Sequence, residues 1–233
     1  MKSLIIGKGE VGKGLYRALK TTHPTRIRDK EVLPEEKRGK KVKFKILHIC
    51  FPYFKNFEKE VKKYQKRYSP KYTVIHSTVP VGSSRKCKAY HSPIRGQHPN
   101  LTKSIKTFVK YLGPKSMVLR VYFELAGIKI KMFEKPETTE LLKILSTTYY
   151  AWNILFCKEA KKICDEHKLD FDKIYTQGNE TYNEGYKILG KTNVIRPVLK
   201  PTKSSIGGHC LIRNCKLLKS KITSLILKFN EKY

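Results

Sequence analysis

Three sets of residues in this chain have types and spacings that could do chemistry. Near the start, Gly7-Lys8-Gly9-Glu10-Val11-Gly12 places three glycines at the spacing of a phosphate-cradling turn. Near the end, Gly207-Gly208-His209-Cys210 sets a thiol after two residues that let a backbone approach closely, beside an imidazole able to bias its ionisation. A thiolate there would be a strong nucleophile. Between them, Lys143 stands four residues before Thr147 in an otherwise apolar run, so the two share one helical face. Each has a plainer reading: a glycine turn in an unliganded domain, a buried structural cysteine, and a lysine snorkelling to water. A zinc site using His209, Cys210 and Cys215 lacks a fourth local ligand, and no metal is expected.

These residues need elements to hold them. Ser3 to Ile6 reads as a short buried strand and Val11 to Lys20 as a helix with Leu15 and Leu19 on one face. Gly7 then makes the tight turn, Gly9 lets a pyrophosphate approach, Gly12 lets helix pack on strand, and the helix N-terminus meets the phosphate charge. Glu10 and Val11 belong to the same turn. Asp29, seventeen residues past Gly12 at the end of a second strand (Thr25 to Arg28), is placed for the adenosine ribose hydroxyls. That favours NAD, while Arg26, Arg28 and Lys30 around it leave a 2′-phosphate admissible.

Further strands are expected at Phe44 to Pro52, Tyr72 to His76, Lys88 to Ser92, Met117 to Arg120 and Lys129 to Phe133. Helices are expected at Phe54 to Tyr68, Leu101 to Tyr111 and Val121 to Ala126. Lys30 to Lys43 and Pro93 to Asn100 read as loops. The alternation predicts an α/β, Rossmann-type, largely parallel sheet. After it, Pro136 to His167 is 32 residues without an interior Gly or Pro, a helix of about 48 Å. Pro136 suits its first position, and Glu137 and Glu140 suit its own dipole. It is apolar on more than one face, so a homodimer is expected on it. Leu169 to Tyr186 predicts a helix pair and Ile212 to Phe229 a terminal helix. The expected division is residues 1–135, a dinucleotide-binding domain, and 136–233, a mainly helical segment with the long helix.

The chain has 50 Lys plus Arg against 19 Asp plus Glu, a formal charge of +31 over 233 residues. Hydrophobic residues at 39% and aromatics at 11% exclude a disordered chain. No apolar run approaches a membrane span of about 18 residues, and the opening does not read as a signal peptide. Six irregularly spaced cysteines argue against a disulfide framework, so a reduced, cytoplasmic protein is expected. Forty of the fifty cations are Lys, scattered through every segment. That speaks for a solvated surface over a nucleic-acid reader, which leans on Arg. An anionic small molecule would be drawn by the same field.

Taken together, these stretches resemble the UDP-glucose/GDP-mannose dehydrogenase family of the 6-phosphogluconate-dehydrogenase-like group. The matching runs are Leu4 to Gly12, Ser77-Thr78-Val79-Pro80-Val81-Gly82, Ser92-Pro93-Ile94-Arg95, Glu140-Leu141-Leu142-Lys143 with Phe156-Cys157-Lys158-Glu159, and Gly207 to Cys210. The resemblance implies four-electron oxidation of a nucleotide-sugar alcohol to a carboxylate with two NAD, through a thiohemiacetal and thioester on the cysteine. Cys210 falls on that nucleophile and Lys143 on the lysine that stabilises the oxyanion. Thr78 falls beside cofactor and catalytic water, and Arg213 on a basic cofactor contact. Pro52 and Ser77, closing the third and fourth strands, complete the expected cofactor set. The sequence departs from the family at Ile94 (Glu in the family), Thr147 (Asn) and Ile212-Arg213-Asn214 (Pro-Lys-Asp). His98 is the nearest substitute acid or base. The family's C-terminal nucleotide-binding domain has no counterpart in the 23 residues after Cys210. Two alternatives are a binding module that no longer completes the reaction and works with a partner chain, and a basic nucleic-acid-associated protein.

Overall fold

The computed structural model describes residues 1–29, 33, 42–96, 101–202, 204–206 and 211–232. His98, Lys30, most of the expected loop around it, and Gly207 to Cys210 lie outside the described residues. The chain divides into two compact units, Met1–Lys143 and Ile144–Tyr233.

The first unit is built on five parallel strands: β1 (Ser3–Ile6), β2 (Thr25–Arg28), β3 (Ile46–Ile49), β4 (Tyr72–Ile75) and β5 (Tyr90–His91), in the order β2-β1-β3-β4-β5. Register runs Ser3 beside Thr25 and Ile46, and Ile46 beside Tyr72. β1 and β3 are buried along their whole length, as strands covered on both faces must be. One face packs Ile5, Ile46 and Val74 against Leu15 and Leu19 of α1 (Glu10–Leu19) and Leu101 and Ile105 of α4 (Leu101–Thr107). The other packs Leu4, Leu47, Ile49 and Ile75 against Phe57, Val61 and Tyr68 of α2 (Phe57–Tyr68). A short helix, α3 (Ser83–Lys86), lies between β4 and β5. The chain leaves β1 for β2 on one side and returns to β3 on the other, which puts the topological switch point between β1 and β3.

Beyond β5 the pattern differs from the sequence expectation. The helix expected over Leu101 to Tyr111 stops at Thr107, and Lys110–Leu112 forms β6. Met117 to Arg120 is not a strand. It opens a single helix, α5 (Met117–Leu125), because the Ser116 hydroxyl accepts the Leu119 N–H at 3.3 Å, an N-cap that starts a helix there. β7 (Ile130–Met132) then pairs in parallel with β6.

The long helix α6 (Pro136–Glu166) forms as its sequence dictates and runs across the division at Lys143. In the second unit it is followed by a π-helical turn at Asp172–Gln177 that continues into α7 (Gly178–Ile188). The expected terminal helix is two: α8 (Leu211–Cys215) and α9 (Lys221–Asn230). A capping box makes the break, with Ser220 Oγ and Thr223 Oγ1 each accepting the other residue's N–H. No described helix is long and apolar enough to cross a membrane.

Candidate functional site

The glycine loop sits at the switch point, and its three glycines have three different reasons to be there. Gly7 has φ +109°, and a Cβ on it would lie 3.0 Å from the Cys50 and Phe51 backbone at the end of β3. Its N–H donates to Arg28 O at 2.8 Å, tying the loop to β2. A Cβ on Gly12 would lie 1.8 Å from Gly7 O, so only glycine lets α1 start this close to β1. Gly9 differs. Its φ is −66°, and a Cβ there, projecting from the helix N-cap, would meet nothing among the described residues within 4 Å. Neither strain nor packing against the described residues requires a glycine at position 9, and the space beside the N-cap is left clear. No side chain caps α1, and its first intrahelical bond is Lys13 N–H to Gly9 O, so the amides of the first turn face the same opening. Glu10 and Val11 form that turn.

Asp29 is exposed directly after β2. The basic residues around it are not equivalent. Arg28 is 4% exposed, bonds the Tyr68 hydroxyl and lies over the Tyr64 ring. It packs beneath the sheet edge and does not offer itself to a 2′-phosphate. Arg26 is half-buried in β2.

Pro52 is exposed after β3. Ser77 donates from Oγ to Phe51 O at 2.5 Å, joining the ends of β3 and β4. Thr78, half-buried, follows. This loop is held by α6 in a way the sequence does not announce. Glu140 is fully buried and accepts the N–H groups of Gly82 at 2.6 Å and Ser84 at 2.8 Å. Burial pushes its carboxyl above the usual carboxylate range in spite of those donors. Glu137 pairs with Arg85, which holds its carboxyl below the ordinary range. The acids expected to serve the dipole of α6 therefore fasten the Thr78 loop. His91 completes the clamp, with Nδ1 2.7 Å from Thr139 Oγ1 and Nε2 3.1 Å from Ser77 O. Lys143 lies one turn beyond Thr139 and Glu140, half-buried, and its charge is among the causes that keep His91 and Lys110 below their ordinary pKa values.

Behind the site runs a chain of buried polar groups that sequence reasoning missed. Thr25 Oγ1 meets Ser3 Oγ at 3.0 Å, the Tyr122 hydroxyl donates to Ser3 Oγ, and His48 Nε2 lies 3.2 Å from that hydroxyl. His48 Nδ1 lies 2.9 Å from His76 Nε2, and His76 Nδ1 2.7 Å from Ser92 O, which also accepts Lys110 Nζ at 2.5 Å. Desolvation lowers His48 and His91 to about 3 and Lys110 to about 7. The only signal in the sequence is a histidine inside an apolar strand.

The positions that depart from the family resemblance have local explanations. Ile94 is 6% exposed in the core with Leu101, Ile105 and Leu112, so it fills space that a carboxylate could not. In the second unit, the Asn214 amide donates to Thr147 Oγ1 at 3.4 Å, so these two altered positions meet one another. Arg213 is exposed on α8. Cys215 is fully buried against Thr148, and burial raises its thiol. Cys210 lies outside the described residues.

Strand order, switch point and glycine loop together define a Rossmann-type fold. No family model and no curated protein matches the sequence. Solved structures do match, and they include dehydrogenases of two kinds. One is a UDP-D-ManNAc dehydrogenase from Pyrococcus horikoshii, 14% identical with a TM-score of 0.77, covering 100% of this chain and 68% of that one. A UDP-glucose dehydrogenase from Pyrobaculum islandicum is 14% identical with a TM-score of 0.76, covering 99% and 68%. A 3-hydroxyisobutyrate dehydrogenase from Mycobacterium tuberculosis is 13% identical with a TM-score of 0.69, covering 99% and 92%. At these identities the likeness is one of fold.

Proposed function

We propose that this chain is an NAD-dependent oxidoreductase acting on a CH–OH group of an anionic small molecule, in the manner of the nucleotide-sugar dehydrogenases. The observation that carries the reading is Gly9, a glycine that neither strain nor packing explains, at the N-cap of a helix whose first-turn amides face open space. Gly7, Gly9, Glu10, Val11 and Gly12 would hold the pyrophosphate, Asp29 the ribose, and Pro52, Ser77, Thr78 and Arg213 the remainder of the cofactor. NAD held there would supply the hydride acceptor for two successive oxidations of the substrate carbon. Cys210 adds to the aldehyde carbon left by the first, and Lys143 donates to the oxyanion so formed. The second oxidation leaves a thioester on Cys210. Water near Thr78 cleaves it to the carboxylate and frees the thiol.

Calorimetry tests the cofactor assignment. Gly9→Val should abolish NAD binding with the fold intact, and Asp29→Ala should weaken NAD more than NADP. Equal affinity in wild type and Gly9→Val overturns it. A screen of nucleotide sugars and simpler alcohols, following reduced nicotinamide, tests the reaction. One observation favours a second reading, a dinucleotide-binding module that works with a partner chain. The residues at 94 and 214 are a core isoleucine and an amide, neither of which is a base. NAD binding without turnover of any alcohol would support it.

A further inference from the structure

The lysines that look scattered along the sequence are brought into a row by the register of the sheet. Lys2, Lys45 and Lys71 each immediately precede the first residue of β1, β3 and β4. Those residues are register partners, Ser3 beside Ile46 and Ile46 beside Tyr72. The pairing extends to the lysines themselves, since Lys45 N–H donates to Lys2 O at 2.9 Å and Tyr72 N–H to Lys45 O at 3.0 Å. Adjacent strands lie about 4.8 Å apart, so the three Cα atoms span about 10 Å along the sheet edge. They share parity with Leu4, Leu47 and Thr73, so all three side chains leave on the side covered by α2. Lys2 Nζ lies 5.2 Å from the Phe44 ring centroid, in the core beneath α2. The last turn of α2 adds Lys66 and Arg67 at the same end, three residues before β4. All five side chains are exposed.

Composition alone does not explain this strip. From Val61 to Phe123 there are 63 residues with 14 cations and no Asp or Glu, where the chain's own acid content would place about five. Residues 1–9 and 42–57 hold no acid either. Carboxylates near these elements, Glu10, Asp29, Glu58 and Glu60, follow the strands or open the helices, at the cofactor end. Among the described residues of β1, β3, β4 and α2, the strip is therefore one-signed and lies at the opposite end of the sheet. We infer that it binds the phosphate backbone of a nucleic acid without reading its sequence. A line of ammonium groups on rigid backbone matches a line of phosphates, and Lys serves as a point charge where no base is read. An anionic membrane fits less well. None of the exposed large apolar side chains among the described residues lies on β1, β3, β4 or α2, so nothing is available to insert into lipid.

The test is binding of the full chain to a fluorescent 30-base-pair duplex of arbitrary sequence across a salt series. Five neutralised phosphates give a log–log salt slope of about −4 to −5. Lys2→Glu/Lys45→Glu/Lys71→Glu should weaken binding at least tenfold and flatten the slope by about three. A control with the same charge change on the second unit, Lys187→Glu/Lys191→Glu/Lys219→Glu, should change it less than twofold. Circular dichroism melts of both variants confirm that they fold, and Lys→Gln versions replace any that does not. Equal loss in both sets overturns the proposal in favour of net charge alone. Sedimentation with phosphatidylserine vesicles that depends on the three lysines, without duplex binding, overturns it in favour of a membrane. Duplex binding that saturating NAD competes away also overturns it, because the strip and the cofactor loop lie at opposite ends of the strands.

Discussion

At the residue scale, the contact between Asn214 and Thr147 has a kinetic consequence. If Cys210 forms a thioester, its hydrolysis must proceed without a carboxylate at positions 94 and 214. General-base help contributes about 10²–10⁴ in rate, or about 3–5 kcal/mol. Hydrolysis is therefore expected to be the slow step, with a covalent adduct on Cys210 visible by intact-mass spectrometry and absent in Cys210→Ser. Asn214→Asp should shorten the adduct's life. The Thr147 hydroxyl, which now donates to Ile144 O at 2.8 Å and accepts from the amide, would turn from that carbonyl to donate to the new carboxylate. Fast turnover with no adduct in a single-turnover experiment would place the base elsewhere. Ile94 offers no comparable rescue, since Ile94→Glu would bury a charge in the core.

At the element scale, the docking of α6 on the Thr78 loop makes a prediction about stability. Glu140→Gln keeps one acceptor but turns an N–H donor toward a buried backbone N–H, so one of the two bonds is lost and its donor is left unsatisfied. The expected cost is about 1–3 kcal/mol. It should appear as a lower Tm and as faster amide exchange confined to residues 77–86; faster exchange throughout the first unit would show that the clamp is not local. This docking marks the limit of what the sequence discloses. The β1–glycine–α1 unit, the parallel sheet and the 31-residue helix are legible because each rests on local spacing: three glycines, apolar runs and the absence of breakers. Glu140 is legible only as an acid in a first turn, because its partners lie 58 and 56 residues away. The pairing of His48 with His76 depends likewise on register between two strands. Met117 to Leu125 misleads for another reason. A short apolar run has no period that separates strand from helix, and the Ser116 cap decides.

At the scale of the whole molecule, the buried titratable groups set a direction for stability against pH. His48 and His91 hold folded pKa values of about 3 against 6.5 in the unfolded chain, and His76 is also well below 6.5. The folded state binds fewer protons, so stability present above 6.5 is lost as pH falls toward 3, by at most about 1.4 kcal/mol per pH unit for each histidine. Lys110, lowered to about 7 from 10.5, makes stability rise again from pH 7 upward. Cys50, raised to about 12 from 9, cancels that trend above 9 and reverses it above 10.5, where the Lys110 contribution is complete. Melting temperature should therefore climb from pH 5 toward pH 9, and Lys110→Met should flatten the limb above 7; an unchanged limb would assign it to another group. A second expectation concerns association. In the second unit α6 exposes Leu145, Tyr149, Trp152, Phe156 and Ile163, at steps of four, three, four and seven, a seam of the coiled-coil kind. Light scattering should give a dimer at micromolar concentration, and Tyr149→Asp/Phe156→Asp a monomer; a monomeric wild type would sink the seam as an interface. The clamp on the Thr78 loop also bears on how such a Rossmann-type unit can be moved between proteins. A fragment ending at Lys135 would contain every strand of the sheet and the whole glycine loop, yet would lack Glu137, Thr139 and Glu140. The module that can be transplanted is therefore longer than the fold it displays, for it must carry the first two turns of a helix that belongs in most of its length to the next unit.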